Sequence, residues 1–187
     1  NMIAILSVNS PMNTRIIALF LLLSLGACNS NEDAPDVSGI KIQLTQQHFE
    51  HDFFAIDTNQ LDQSILALDK KYPGFTTVFL SNILALMPAS ESSDLKSFYS
   101  AYLPLYKQST SIFKEQKKQA QKIEQGFQYL KHYFPSYQLP NKLITFIGPI
   151  NSFGSILTED AIAIGLQLFM GKDHPLYTSE EGQALYP

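Results

Sequence analysis

The sequence predicts an α+β fold: a helical N-terminal half followed by a small, mainly antiparallel β-sheet. Between Leu61 and Phe134 apolar residues recur at spacings of three and four, the period of helices buried on one face. Beyond Pro135 and Pro140 the period changes to two, in Leu143 to Ile147 (LITFI) and Ala161 to Leu168 (AIAIGLQL), as expected of strands. A third observation places the folded body: the chain opens with an export leader, so the domain is expected over residues 40–187.

The leader is Met12 to Ala27. Arg15 precedes an apolar run of about ten residues, Ile16 to Leu25, well short of the roughly 20 that a helix needs to cross a bilayer. It ends in Leu25, Gly26, Ala27 and Cys28. Small residues before a cysteine let a signal peptidase reach the bond, so Leu25, Gly26 and Ala27 are the recognition residues and Cys28 the lipid-attachment site. A membrane-spanning or core helix explains neither the Arg15 flank nor the small-small-Cys ending. Residues 1–11 begin with Asn1 and read as a spurious upstream extension, with Met12 as the natural start. Cys28 is the single cysteine, so no intrachain disulfide can form, and acylation would remove a lone thiol from an oxidising compartment. Each buried methylene contributes about 0.8 kcal/mol, so two or three acyl chains hold a domain firmly on a bilayer. The expected location is the cell envelope, on the periplasmic face or the cell surface, with the bilayer itself as a partner through Cys28.

Thirteen Lys and Arg stand against seventeen Asp and Glu, a net charge of −4. Loss of Arg15 with the leader takes this to about −5, which argues against nucleic acid and against peripheral binding to anionic lipid. Residues 28–39 are polar and acidic with Pro and Gly, a lipidated N-terminus and flexible tether.

Ile40, Ile42 and Leu44 alternate with Lys41 and Gln43, predicting a strand over residues 40–44. His48-Phe49-Glu50-His51-Asp52 reads as an exposed strand edge. His48 and His51 could ligate a metal in principle, but spacing positions no third ligand. Thr58 or Asn59 caps a helix to Lys71, with Leu61, Ile65, Leu68 and Tyr72 on one face, stopped by Pro73-Gly74. Phe75 to Met87 predicts a buried helix, and Leu95, Phe98, Tyr102 and Leu105 another. From Ser109 to Phe134 the stripe Phe113, Ala120, Ile123, Phe127 and Leu130 predicts one long bundle helix of roughly 40 Å. Ser152 to Leu157 is a second strand after Leu143 to Ile147, and Thr158-Glu159-Asp160 turns into the third.

No catalytic constellation is present. There is no His-Glu-x-x-His, no Gly-x-Ser-x-Gly and no cysteine nucleophile. Gly165 to Lys172 has the wrong glycine spacing for a phosphate loop, and no histidine is fixed to activate Ser152 or Ser155. Neither a catalytic residue, a metal nor another cofactor is expected, and an enzyme is the weaker reading.

Four segments carry a resemblance: FFAIDTNQL (Phe53 to Leu61), KKYPGF (Lys70 to Phe75), KHYFPSYQLPNKLITFI (Lys131 to Ile147) and AIGLQLFMGKDHPLY (Ala163 to Tyr177). Together they resemble the gliding-motility lipoprotein GldB family of Bacteroidetes. The resemblance implies an envelope lipoprotein required for gliding, in cells that couple gliding to the type IX secretion system. Its partners would be other proteins of that machinery. It also implies a longer protein, whose C-terminal helical region lies beyond Pro187. The family is distantly similar to zinc metallopeptidase domains whose His-Glu-x-x-His helix would follow the sheet, so one alternative is the N-terminal part of an envelope hydrolase. Another is a surface binding lipoprotein, since Glu32 and Asp33 resemble the surface-export signal of Bacteroidetes lipoproteins.

Overall fold

The computed structural model describes residues 34–87, 91–114 and 117–178. The chain divides into two units, Asn1–Asp36 and Val37–Pro187, and the elements all belong to the second. The expected leader, Cys28 and the start of the expected tether lie outside the described residues.

The first strand, β1, is Thr45–His48, later than the expected 40–44. The alternation over Ile40 to Leu44 is real as burial, with Leu44 fully inside, but that backbone is satisfied without a ladder. Leu44 N–H donates to Glu124 Oε1 at 2.9 Å and Ile40 C=O accepts from Gln128 Nε2 at 2.7 Å. Helix side chains thus take the place of a neighbouring strand. His48 to Asp52 is not a strand edge either. It is the junction of β1 with a short helix, α1 (Phe49–Phe53), whose Phe49, Glu50 and Phe53 are buried.

Helix α2 (Leu61–Lys71) buries Leu61 and Leu68, with Tyr72 buried at its end. Gly74 then takes φ +78, a left-handed conformation open to glycine because it lacks Cβ. It leads into α3 (Phe75–Val78), which widens at once into a π-helical turn, Phe79–Ile83. The Leu84 N–H reaching Phe79 C=O at 2.9 Å is the five-residue step of that turn. The helix therefore stops short of Met87. Helix α4 (Glu91–Ile112) buries Leu95, Phe98, Leu105 and Ser109, and carries Pro104 within it.

The long helix expected from Ser109 to Phe134 is two helices, α4 ending at Ile112 and the next starting at Lys117. Phe113, just past α4, packs on the main core with Phe98 and Leu105. Helix α5 (Lys117–Tyr133) instead packs Ala120, Ile123 and Phe127 with Leu143, Ile162 and Ile164. Those last three lie on the opposite face of the sheet from Ile144, Phe146, Ala161 and Ala163, which join the main core.

The remaining strands are β2 (Lys142–Phe146), β3 (Ser155–Leu157) and β4 (Ala161–Gly165). The α+β class holds, but the sheet is mixed and not mainly antiparallel. Its order is β1-β2-β4-β3, with β1 and β4 parallel to β2, and β3 antiparallel to β4 through the Thr158–Asp160 turn. The link after β2 does not fold back as a hairpin. It carries β3 to the outside, so β4 enters between them and runs alongside β2. Burial on both faces, which this apolar run satisfies, is what a parallel strand requires. Beyond Gly165 the backbone leaves the sheet as a 3-10 turn, Leu166–Leu168. Gln167, within the run expected to be strand, is consequently fully buried. Its Oε1 accepts Gly148 N–H at 3.0 Å and its Nε2 faces Pro149 C=O and Ser152 Oγ. A short helix, α6 (Pro175–Thr178), follows. The described residues thus hold six α-helices and four strands.

Candidate functional site

The sequence-derived site residues Leu25, Gly26, Ala27 and Cys28 lie outside the described residues. The folded unit shows a different constellation, where β1 meets α1. In a parallel ladder, paired residues share a face, so Gln46 and His48 stand beside Leu143 and Thr145 of β2, and these beside Ile162 and Ile164 of β4. His48 ends β1 and His51 lies in α1, which stacks the two imidazoles at 5.0 Å with 24° between planes.

Between them sits Glu50, 1% exposed. An isolated buried carboxylate is strongly disfavoured, so its partners matter. Thr145 Oγ1 lies 3.0 and 2.8 Å from its two oxygens. His48 Nδ1 and His51 Nε2 lie 3.5 and 3.6 Å from Oε1. His48 Nδ1 is also 3.1 Å from Thr145 Oγ1. That hydroxyl has one proton. When it goes to Glu50, the His48 contact requires Nδ1–H, which leaves Nε2 on the far side of the ring. The contact with Glu50 raises the His48 pKa. Burial opposes this, and the charges of Glu50 and Asp52 reinforce it.

A second chain of contacts fixes the outer side. The Tyr72 hydroxyl donates to Asp52 and lies 3.3 Å from the His48 carbonyl, and Lys71 Nζ is 2.7 Å from Asp52 Oδ2. Burial alone would raise the Asp52 carboxyl, but Lys71 and Tyr72 together hold it below its ordinary value. Burial, followed by the neighbouring Asp52 and Glu50 charges, pushes the Tyr72 phenol up, so it stays a neutral donor. Burial and the same two acids also raise Tyr106.

His48, Glu50 and His51 open into a cavity of about 830 Å³, lined also by the end of α4 and the start of α5. Tyr106, Ser109 and Phe113 reach it from the first, and Lys117, Lys118 and Gln121 from the second, with Lys114 between. The interruption of the helix therefore brings three lysines to the site. A narrower space of about 320 Å³ shares Phe113 and Leu166 with it, and is otherwise walled by apolar side chains, Thr145 and Gln119.

The two histidines flank a carboxylate; among the described residues no group of three or more His, Cys, Asp or Glu is arranged to hold a metal ion. Ser152 Oγ donates to Pro149 C=O and receives Gln167, a structural role in the loop before β3. The buried Glu50 and the helix interruption are what sequence reasoning missed. The histidine pair was visible, but its meaning depended on Thr145, far along the chain. No helix among the described residues is long and apolar enough to cross a membrane.

A protein-family model described as gliding motility protein GldB matches residues 30–186. No curated protein and no solved structure is significantly similar.

Proposed function

We propose, from the premise that this chain belongs to the gliding motility protein GldB family, that it serves as a non-catalytic partner within the gliding and type IX secretion machinery. In this reading it is exported, acylated at Cys28 and held on an envelope membrane, and its folded unit contacts other machinery proteins. The observation that carries the reading is the family match across nearly all of the chain beyond the leader. The lipobox Leu25 to Cys28 supports the anchor. Exposed aromatic residues at the end of α5, Tyr133, Phe134 and Tyr137, supply apolar surface of the kind that protein partners cover.

The test is complementation of a deletion strain. Loss of colony spreading in the deletant, restored by the natural chain but not by Cys28→Ser, is the expected result. A Cys28→Ser chain that still takes up labelled palmitate would overturn the anchor. A deletant that spreads normally would overturn the motility role.

A further inference from the structure

One face of the sheet changes character across its width. The row His48, Thr145, Ile164 and the row Gln46, Leu143, Ile162 each run from polar on β1 to apolar on β4. The two adjoining spaces follow this gradient. The wider one presents Lys114, Lys117, Lys118, His48 and His51. Its one acidic lining residue, Glu50, is buried and engaged by Thr145. The narrower slot has no ionisable side chain in its wall, which includes Phe113, Ile123, Leu166 and Phe169. The chain as a whole is net negative, so cations concentrated at this one cavity run against its overall charge.

We propose that this face binds a single-chain anionic amphiphile, with its headgroup among the lysines and histidines and its acyl chain in the slot. A small anion would leave the apolar slot to water, and a neutral hydrocarbon would leave the cationic mouth unmatched. A ligand carrying both parts matches the gradient. Carboxylate and phosphate heads present the same acceptor chemistry to ammonium and imidazole N–H donors, so a free fatty acid and a monoacyl phospholipid are two sources of one ligand type. The inference goes beyond the motility role and does not depend on it.

The experiment is calorimetric titration of the full chain carrying Cys28→Ser, below the micelle concentration of each probe. The probes are laurate, lauroyl lysophosphatidylglycerol, dodecyltrimethylammonium and inorganic phosphate. Laurate, the lysolipid or both should bind saturably at one site, and their ratio identifies the head. The cationic amphiphile and phosphate should bind at least about tenfold more weakly. Two variants at exposed positions leave the core untouched: Lys117→Ser with Lys118→Ser, and Phe169→Ser. Each should weaken laurate by about fivefold or more, the first through lost ion pairing and the second through a lost apolar wall. Equal binding of the cationic and anionic amphiphiles, or affinity unchanged in both variants, would mean partition elsewhere, for example onto the leader, and would overturn the proposal. So would phosphate binding as tightly as laurate, or no binding at all.

Discussion

Thr145→Val changes little except a hydroxyl, and that makes it a sharp probe of how Glu50 survives inside the protein. Thr145 is 5% exposed and its oxygen lies 2.8 and 3.0 Å from the Glu50 carboxylate. Valine has nearly the same shape, so no cavity opens. The variant removes a hydrogen bond to a charged group, worth about 1.5–3 kcal/mol. What remains beside the carboxylate are two histidines at 3.5 and 3.6 Å, themselves 37% and 52% exposed, and neither replaces the lost contact. Some of the loss is offset because a methyl suits the apolar slot that Thr145 also walls. A net loss of about 2 kcal/mol follows, which for a chain of this size lowers Tm by roughly 4–8 °C. Urea denaturation of the natural chain, Thr145→Val, Glu50→Met and the double variant measures this with a control for coupling. With Glu50 replaced there is no buried charge to orphan, so Thr145→Val should then be close to neutral. A single variant within about 0.5 kcal/mol of the natural chain, or additive effects in the double, would refute the claim that this hydroxyl holds the charge.

Other perturbations test neighbouring parts. His48 has a raised pKa in the folded state, so its contribution is fully present below pH 6.5 and fades as pH rises through the raised value;. The stability gap between the natural chain and His48→Gln should therefore be widest in mild acid and narrow toward alkaline pH, and a gap that widens instead would contradict the Glu50 contact. Phe79→Ala removes a side chain with no exposure, packed tilted against Phe49 and edge-on against Phe53, Phe98 and Phe146. It should cost about 3–5 kcal/mol in denaturant titration. Gly74→Ala meets no neighbouring atom but must hold φ +78, so a loss of about 1–2 kcal/mol is expected, and no loss would mean the turn relaxes. Gln167→Leu keeps the bulk but orphans the Gly148 N–H, at about 1–3 kcal/mol, with faster amide exchange at Gly148 as its specific signature.

Much of the α+β architecture was legible because it rests on local periodicity. The stripes through Leu61, Leu68 and Tyr72, and through Leu95, Phe98 and Leu105, bury as their spacing requires. Pro73-Gly74 and the Thr158–Asp160 turn punctuate the chain where turn chemistry places them. Strand direction was not legible, since a short apolar run such as LITFI reads the same beside a parallel or an antiparallel neighbour. The helix interruption was hidden because the stripe from Phe113 to Phe127 keeps its period across it. At the site the histidine pair was visible in the chain, whereas Glu50 looked like an ordinary exposed acid until Thr145 was found against it.

The residues by themselves determined the helical and strand-forming segments, the net negative charge and the family. Each of these is written over a few neighbouring positions or accumulates by simple addition along the chain. Only the tertiary structure decided that β4 lies between β2 and β3, that Gln167 and Glu50 are interior, and that three lysines gather opposite two histidines. Those outcomes depend on contacts between residues 19 to 95 positions apart, as in Gly148 with Gln167 and Glu50 with Thr145. Such pairings are chosen by which surfaces can be buried together, and that competition leaves no local mark on the sequence.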